Sequence, residues 1–225
     1  MNLHLFSTPG KDDIRYILDA SRPYLEGKER PVVAYLPAAS LADTWQDFTE
    51  KTFHGLAHVE TINTELVTLP DMEATLRGAV LVYIPGGNTF LLNHRLHLSK
   101  FMDTLQRKVR AGFPLVAFSA GTVLCGPNIL TSKDMNLVGT SYFTGLKVTP
   151  FNFSVHYPDD EITRLEKDEW LREYHVFHEN PVIIMADGAY IRVEGKKTTL
   201  VRGEAWILRK GKEKEKLSEG ELIAV

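Results

Sequence analysis

Short apolar runs alternate with stretches whose apolar residues recur at helical spacing. "LHLFST" (3–8) and "RPVVAYLPAA" (30–39) read as short buried strands. Between them, "DDIRYILDASRPYL" sets Ile14, Ile17, Leu18 and Leu25 at the spacing of a helix. "DTWQDFTEKTFHGLAHV" (43–59) predicts a second amphipathic helix, with Asp43 as its N-cap. A strand at "TELVTL" (64–69), a short helix at "DMEATLRGA" and a strand at "VLVYIPGG" (80–87) follow. Residues 88–112 read as mostly helical and stop at Gly112, and "FPLVAFS" (113–119) is the next strand. This alternation through residue 125 predicts an α/β fold, a mostly parallel sheet with helices on both faces.

After residue 125 the pattern changes. Residues 126–158 are irregular and rich in Gly, Pro, Thr and Asn, and 161–177 read as a helix. The tail from 182 onward alternates in short strands with turns at "DG", "EGKK" and "RGE". It reads as a C-terminal β-hairpin extension of the same sheet, so the chain is expected to form a single domain over residues 1–225.

Composition narrows the classes. The chain has 225 residues, 44 % apolar and 24 % charged, with a net charge of −3. That balance gives no electrostatic footprint for nucleic acid or an anionic membrane. "RKGKEKEK" (209–216) is broken by glutamates and reads as a solvated hairpin. Cys125 is the single cysteine, which excludes an internal disulfide. No apolar run is long enough for a membrane span, and "MNLHLFSTPG" lacks a basic flank and a signal-length apolar core. The expectation is a cytoplasmic protein.

The chemistry gathers at strand ends. In parallel α/β sheets, ligands bind beyond the carboxyl ends of strands. "PGGNTF" (85–90) and "FSAGT" (118–122) both lie there. Ser119 sits at a strand–turn–helix tip in the pattern A-x-S-x-G, close to the G-x-S-x-G nucleophile elbow. Such a sharp turn demands small residues two before and two after the serine, here Ala117 and Gly121. It would aim the Ala120 N–H at a developing oxyanion, and the Gly86-Gly87 turn suits a second donor. Taken alone, the motif fits a serine helix cap better than a nucleophile.

A serine nucleophile needs a base, and the base needs an orienting acid. Of the eight histidines, His4 reads as core or edge. His54, His58, His94 and His97 fall on helices or their ends, and His175 and His178 close a helix. His156 differs, because "TPFNFSVHYPDD" puts it at the end of a strand pattern. Asp134, Asp159, Asp160 and Asp187 are all candidates for the acid.

Together, "PGGNTFLL", "FSAGTVLCGPNILTSKDMN" and "VTPFNFSVHYPDD" resemble blocks of the aspartyl dipeptidase (peptidase E) family. "LPAASLADTWQDFTEKT" (36–52) extends the likeness, which covers residues 1–160 well and the tail weakly. That family is related to cyanophycinases and has a class I glutamine amidotransferase-like fold. The resemblance implies a serine peptidase for short peptides, chiefly dipeptides with N-terminal aspartate, using neither metal nor organic cofactor. It implies Ser119 as nucleophile, His156 as base, Asp134 as acid, and Gly87 and Ala120 as oxyanion donors. Asp187 stays a rival acid, near a place where the family has an acidic residue before Gly. Asn88 is expected to orient substrate or loop, and Arg164 is the counterpart of the family's substrate-binding Arg. Two other functions remain open: a cyanophycinase-like exopeptidase for β-aspartyl-arginine polymers, and a non-catalytic ligand-binding domain. The sequence leaves the oligomeric state open.

Overall fold

The structure, a computed structural model, describes residues 1–8, 14–42 and 44–224. Asp43, expected as a helix cap, lies outside the described residues.

The first half delivers the predicted alternation: β1 (Asn2–Phe6), α1 (Ile14–Leu25), β2 (Val32–Tyr35), α2 (Gln46–Phe53) and β3 (His58–Thr61). α3 (Leu69–Gly78), β4 (Leu81–Ile84), α4 (Thr89–Leu98), α5 (Phe101–Arg110), β5 (Leu115–Phe118) and α6 (Ala120–Leu124) follow. The later elements are β6 (Asn152–Tyr157), α7 (Glu161–Phe177), β7 (Val182–Ala186), β8 (Tyr190–Glu194), β9 (Lys197–Arg202), β10 (Ala205–Leu208) and β11 (Glu215–Lys216).

A seven-stranded sheet runs in the order β3-β2-β4-β5-β1-β8-β9. Its pairings from β3 to β1 are parallel, and β8 and β9 join antiparallel. Strand alternation divides its side chains between two faces. Val33, Tyr35, Tyr83, Val116 and Phe118 pack with Ile17 of α1 and Phe53 of α2. Ala34, Val82, Ile84, Leu115 and Ala117 pack the other way, against Leu76 of α3, Leu92 of α4, Leu105 of α5 and Leu124 of α6.

Three expectations are corrected. The third strand is 58–61, not 64–69. β3 is a largely exposed edge strand, so its sequence "HVET" has no apolar run to reveal it. In 64–69, Asn63 Oδ1 instead accepts the N–H groups of Glu65 and Leu66, and Thr68 with Asp71 forms a capping box opening α3. The helical stretch 88–112 is broken between α4 and α5, where Lys100 takes φ 60°.

The tail is the third case. Only β8 and β9 extend the main sheet; β7, β10 and β11 join β6 in a second, four-stranded sheet ordered β11-β10-β7-β6. Phe153, Ile183, Met185 and Ile207 of that sheet share one core with Leu3, Leu5 and Leu115 of the first. The basic run 209–216 closes the β10–β11 hairpin, but it is not wholly solvated. Lys214 Nζ donates to Tyr157 Oη and the Asp168 carboxylate.

Among the described residues, no helix is long and apolar enough to cross a membrane.

Candidate active site

β5 ends at Phe118 and α6 begins at Ala120, so Ser119 alone makes the turn. Its backbone takes φ 52° and ψ −117°, a conformation non-glycine residues rarely hold. The Ser119 N–H donates to the carbonyls of Phe6 and Ser7, each at 3.0 Å, which fastens the turn to the end of β1. The demand for small flanking residues is met closely. A Cβ on Gly121 would lie 2.5 Å from the Ile84 carbonyl oxygen and 3.1 Å from Ala117 Cβ. A Cβ on Gly86 would lie 3.0 Å from Ser119 Cβ, so the β4–α4 turn packs directly on the serine.

The second sheet supplies the histidine. The β6–β7 register shifts between Ser154 and Tyr157, and His156 takes φ 56° inside that irregularity. Such bulges re-aim side chains. His156 Nε2 lies 2.8 Å from Ser119 Oγ, and its Nδ1 lies 2.7 Å from Asp187 Oδ1. A carboxylate can only accept, so Nδ1 carries the proton and neutral Nε2 is free to accept the serine proton. Asp187 immediately follows β7, the parallel neighbour of β6. The hydrogen bond from His156 leads in holding the Asp187 carboxyl below its ordinary range against the opposing effect of burial, helped by the Ser7 hydroxyl and the Lys167 ammonium.

The geometry separates the rival acids. Asp134 is not bonded to His156. Its Oδ2 accepts the Thr89 N–H at 2.7 Å and the Ser132 hydroxyl at 2.9 Å. Thr89 opens α4, and exposed N–H groups at a helix start attract a carboxylate. Asp160 caps α7 through the Thr163 N–H at 2.9 Å, and Asp159 is fully exposed.

Two further candidates have bonding partners other than the serine. Asn88 caps α4: its Oδ1 accepts the Leu91 N–H at 2.9 Å and its Nδ2 donates to the Met135 carbonyl at 2.8 Å. Both ends are therefore engaged in holding the loop. Arg164 donates from Nε to the Pro158 carbonyl at 2.6 Å, and its guanidinium lies over the Tyr157 and Trp206 rings.

A cavity of about 230 Å³ opens beside Ser119 and His156, walled by Thr131, Ser132, Lys133, Asp134, Thr163 and Lys167 among others, but not by Arg164. Its cations are Lys133 and Lys167, which sequence reasoning missed. Lys167 is buried and donates to the carbonyls of Val155 and His156. Burial, followed by the neighbouring Lys133 charge, pulls its pKa down to about 8. Ser7, also missed, carries the same signal that exposed Ser119: a hydroxyl closing an apolar strand. Among the described residues, no cluster of three or more His, Cys, Asp or Glu could hold a metal ion.

A serine, histidine and carboxylate linked in series at the carboxyl ends of strands, on a mostly parallel α/β sheet, define a serine hydrolase arrangement. Residues 5–201 match the model of peptidase family S51. The chain is 30 % identical over 228 residues to peptidase E of Streptomyces coelicolor, covering 98 % of this chain and 92 % of that one. It is 37 % identical over 141 residues to a probable alpha-aspartyl dipeptidase of Drosophila melanogaster, covering 60 % of this chain and 59 % of that one. The crystal structure of a putative peptidase E protein from Listeria monocytogenes superposes with a TM-score of 0.70 at 20 % identity, covering 96 % of this chain and 98 % of that one. The chain belongs to peptidase family S51 and is a serine hydrolase of that family.

Proposed function

We propose that this protein is a serine-type dipeptidase that cleaves dipeptides with an N-terminal aspartate, using Ser119, His156 and Asp187. The observation that carries the reading is the hydrogen-bonded series from Ser119 Oγ through His156 to Asp187, at 2.8 and 2.7 Å. In this mechanism His156 Nε2 takes the serine proton as Oγ attacks the scissile carbonyl. The N–H groups of Ala120 and Gly87 stabilise the oxyanion; the packing of the Gly86 turn on Ser119 supports that assignment. His156 then protonates the leaving amine, and water hydrolyses the acyl-enzyme. Asp187 holds the imidazole tautomer and offsets its charge.

The small cavity favours a short substrate over a long chain. Lys133 and Lys167 on its wall favour an acidic group, which supports the aspartyl preference named for the Drosophila relative. In this reading the lysines take the role that the family resemblance assigned to Arg164.

The test is hydrolysis of Asp-Leu, Glu-Leu, Ala-Leu and acetyl-Asp-Leu by the wild type and Ser119→Ala. Turnover of Asp-Leu above the others, abolished in the variant, is the expected result. A folded wild type that turns over none of them would sink the dipeptidase reading and direct attention to β-aspartyl polymers.

A further inference from the structure

Ser7 is the first residue after β1 and is fully buried. Its carbonyl accepts the Ser119 N–H at 3.0 Å. Its hydroxyl accepts the His156 N–H at 2.9 Å and lies 3.1 Å from Asp187 Oδ1 and 3.3 Å from the Met185 carbonyl as a donor. Its own N–H donates to the Ala189 carbonyl at 3.1 Å. One residue at the end of a main-sheet strand thus bonds to the nucleophile's turn, to the backbone of the histidine and to the acid's carboxylate.

We propose that Ser7 is a positioning residue for the catalytic series, joining the sheet that carries Ser119 to the sheet that carries His156 and Asp187. The proposal rests on the assignment of those three residues made above. Two contacts give the hydroxyl its role. Accepting the His156 N–H compensates a residue held at positive φ, where the ordinary ladder partner is lost to the register shift. Donating to Asp187 uses a lone pair that His156 leaves open, and fixes the carboxylate's rotation so that Oδ1 faces Nδ1. The single hydroxyl proton cannot serve Met185 and Asp187 fully at once, and the charged acceptor is the stronger.

A purely structural serine would affect stability without touching the proton affinity of the pair. Ser7 as proposed does both. With its donor gone, the Asp187–His156 unit binds protons more readily, because the carboxylate is less stabilised and the imidazolium meets more unshared negative charge. The other charges facing the unit are Lys167 and, beyond it, Lys133; both remain in the variant.

The experiment measures the rate at which diisopropyl fluorophosphate labels Ser119, from pH 5 to 9, in the wild type, Ser7→Ala and Ser7→Cys. Labelling needs an activated serine but no peptide specificity. A wild type that fails to label therefore overturns the catalytic series itself, whereas Ser7 is judged on the variants. The expected result for Ser7→Ala is a fall of about ten- to hundredfold, as for a buried hydrogen bond lost beside a charge, with the acid limb moved to higher pH. Ser7→Cys, with its weak S–H donor, should recover part of both effects. A Ser7→Ala protein with an unmoved acid limb and wild-type labelling overturns the proposal. Should Ser7→Ala fail to fold, an unmoved limb in Ser7→Cys overturns it equally.

Discussion

The carboxylate of Asp187 and the Nδ1 of His156 meet at 2.7 Å because both lie at the carboxyl ends of two adjacent parallel strands. The pair forms where Tyr157 stands across from Ala186, one residue beyond His156 and one before Asp187. This relationship separates two aspartates that look alike in sequence.

Replacing Asp187 by Asn should therefore lower kcat for Asp-Leu by about two to four orders of magnitude, since Asn can present the wrong tautomer to His156. Asp134→Asn should keep most of kcat and instead lower stability by about 1 kcal/mol, the scale of a lost helix-terminus contact. Steady-state kinetics and thermal melts on both variants check the assignment. Equal kcat losses would contradict it.

The position of Arg164 gives a sharp contrast. Its guanidinium is committed to Pro158 and to the Tyr157 and Trp206 rings. Arg164→Ala should leave KM for Asp-Leu within about twofold while reducing stability by about 1 kcal/mol through lost stacking. Lys133→Ala should raise KM for Asp-Leu about five- to tenfold and leave Ala-Leu unchanged, as expected for a charge-assisted contact in a partly exposed site.

Lys167 has its pKa pulled down to about 8 from an ordinary 10.5 by burial. Below pH 8 both folded and unfolded chains carry its charge, and the folded state bears the cost of burying it. Between about 8 and 10.5 the unfolded chain binds the extra proton, so this group makes stability rise with pH in that window. The gain is on the order of 3 kcal/mol and should disappear in Lys167→Met. As pH rises through about 8 the pocket loses a cation, so KM for Asp-Leu should climb there while KM for Ala-Leu stays flat. Urea melts and kinetics across pH 7–10 test both.

Gly121 has no room for a methyl group. A Cβ there would sit 2.5 Å from a backbone oxygen, which cannot rotate away. Gly121→Ala should cost about 2–3 kcal/mol and displace the serine turn, lowering kcat more than tenfold. Denaturant melts with matched kinetics would reveal a tolerated methyl group.

Apolar patterning was enough to locate β1, β2, β4, β5 and α7, whose buried faces leave a period in the sequence. It failed at β3, because an exposed edge strand needs no apolar residues. It also failed at the break after α4, where a single lysine in the left-handed region divides two helices of similar composition. The small residues around Ser119 were legible because close packing of β4 against α6 permits nothing larger. Lys133 and Lys167 were not legible, since nothing local distinguishes a lysine that faces a pocket from one that faces solvent, and Ser7, which closes an apolar strand as Ser119 does, had no neighbouring motif to show what its hydroxyl would meet.

By itself, the sequence determined the α/β alternation, the sharp serine turn and the histidine at a strand end, because each is set by side-chain size and periodicity within a few residues. Which acid meets that histidine was decided only by the tertiary structure. Asp187 lies 31 residues beyond His156, and Asp134 lies closer along the chain. The choice depends on β6 and β7 pairing in a second sheet, with Ser7 binding that sheet to the first. Strand pairing is a long-range event, and a hydrogen bond of 2.7 Å exists only after it is complete.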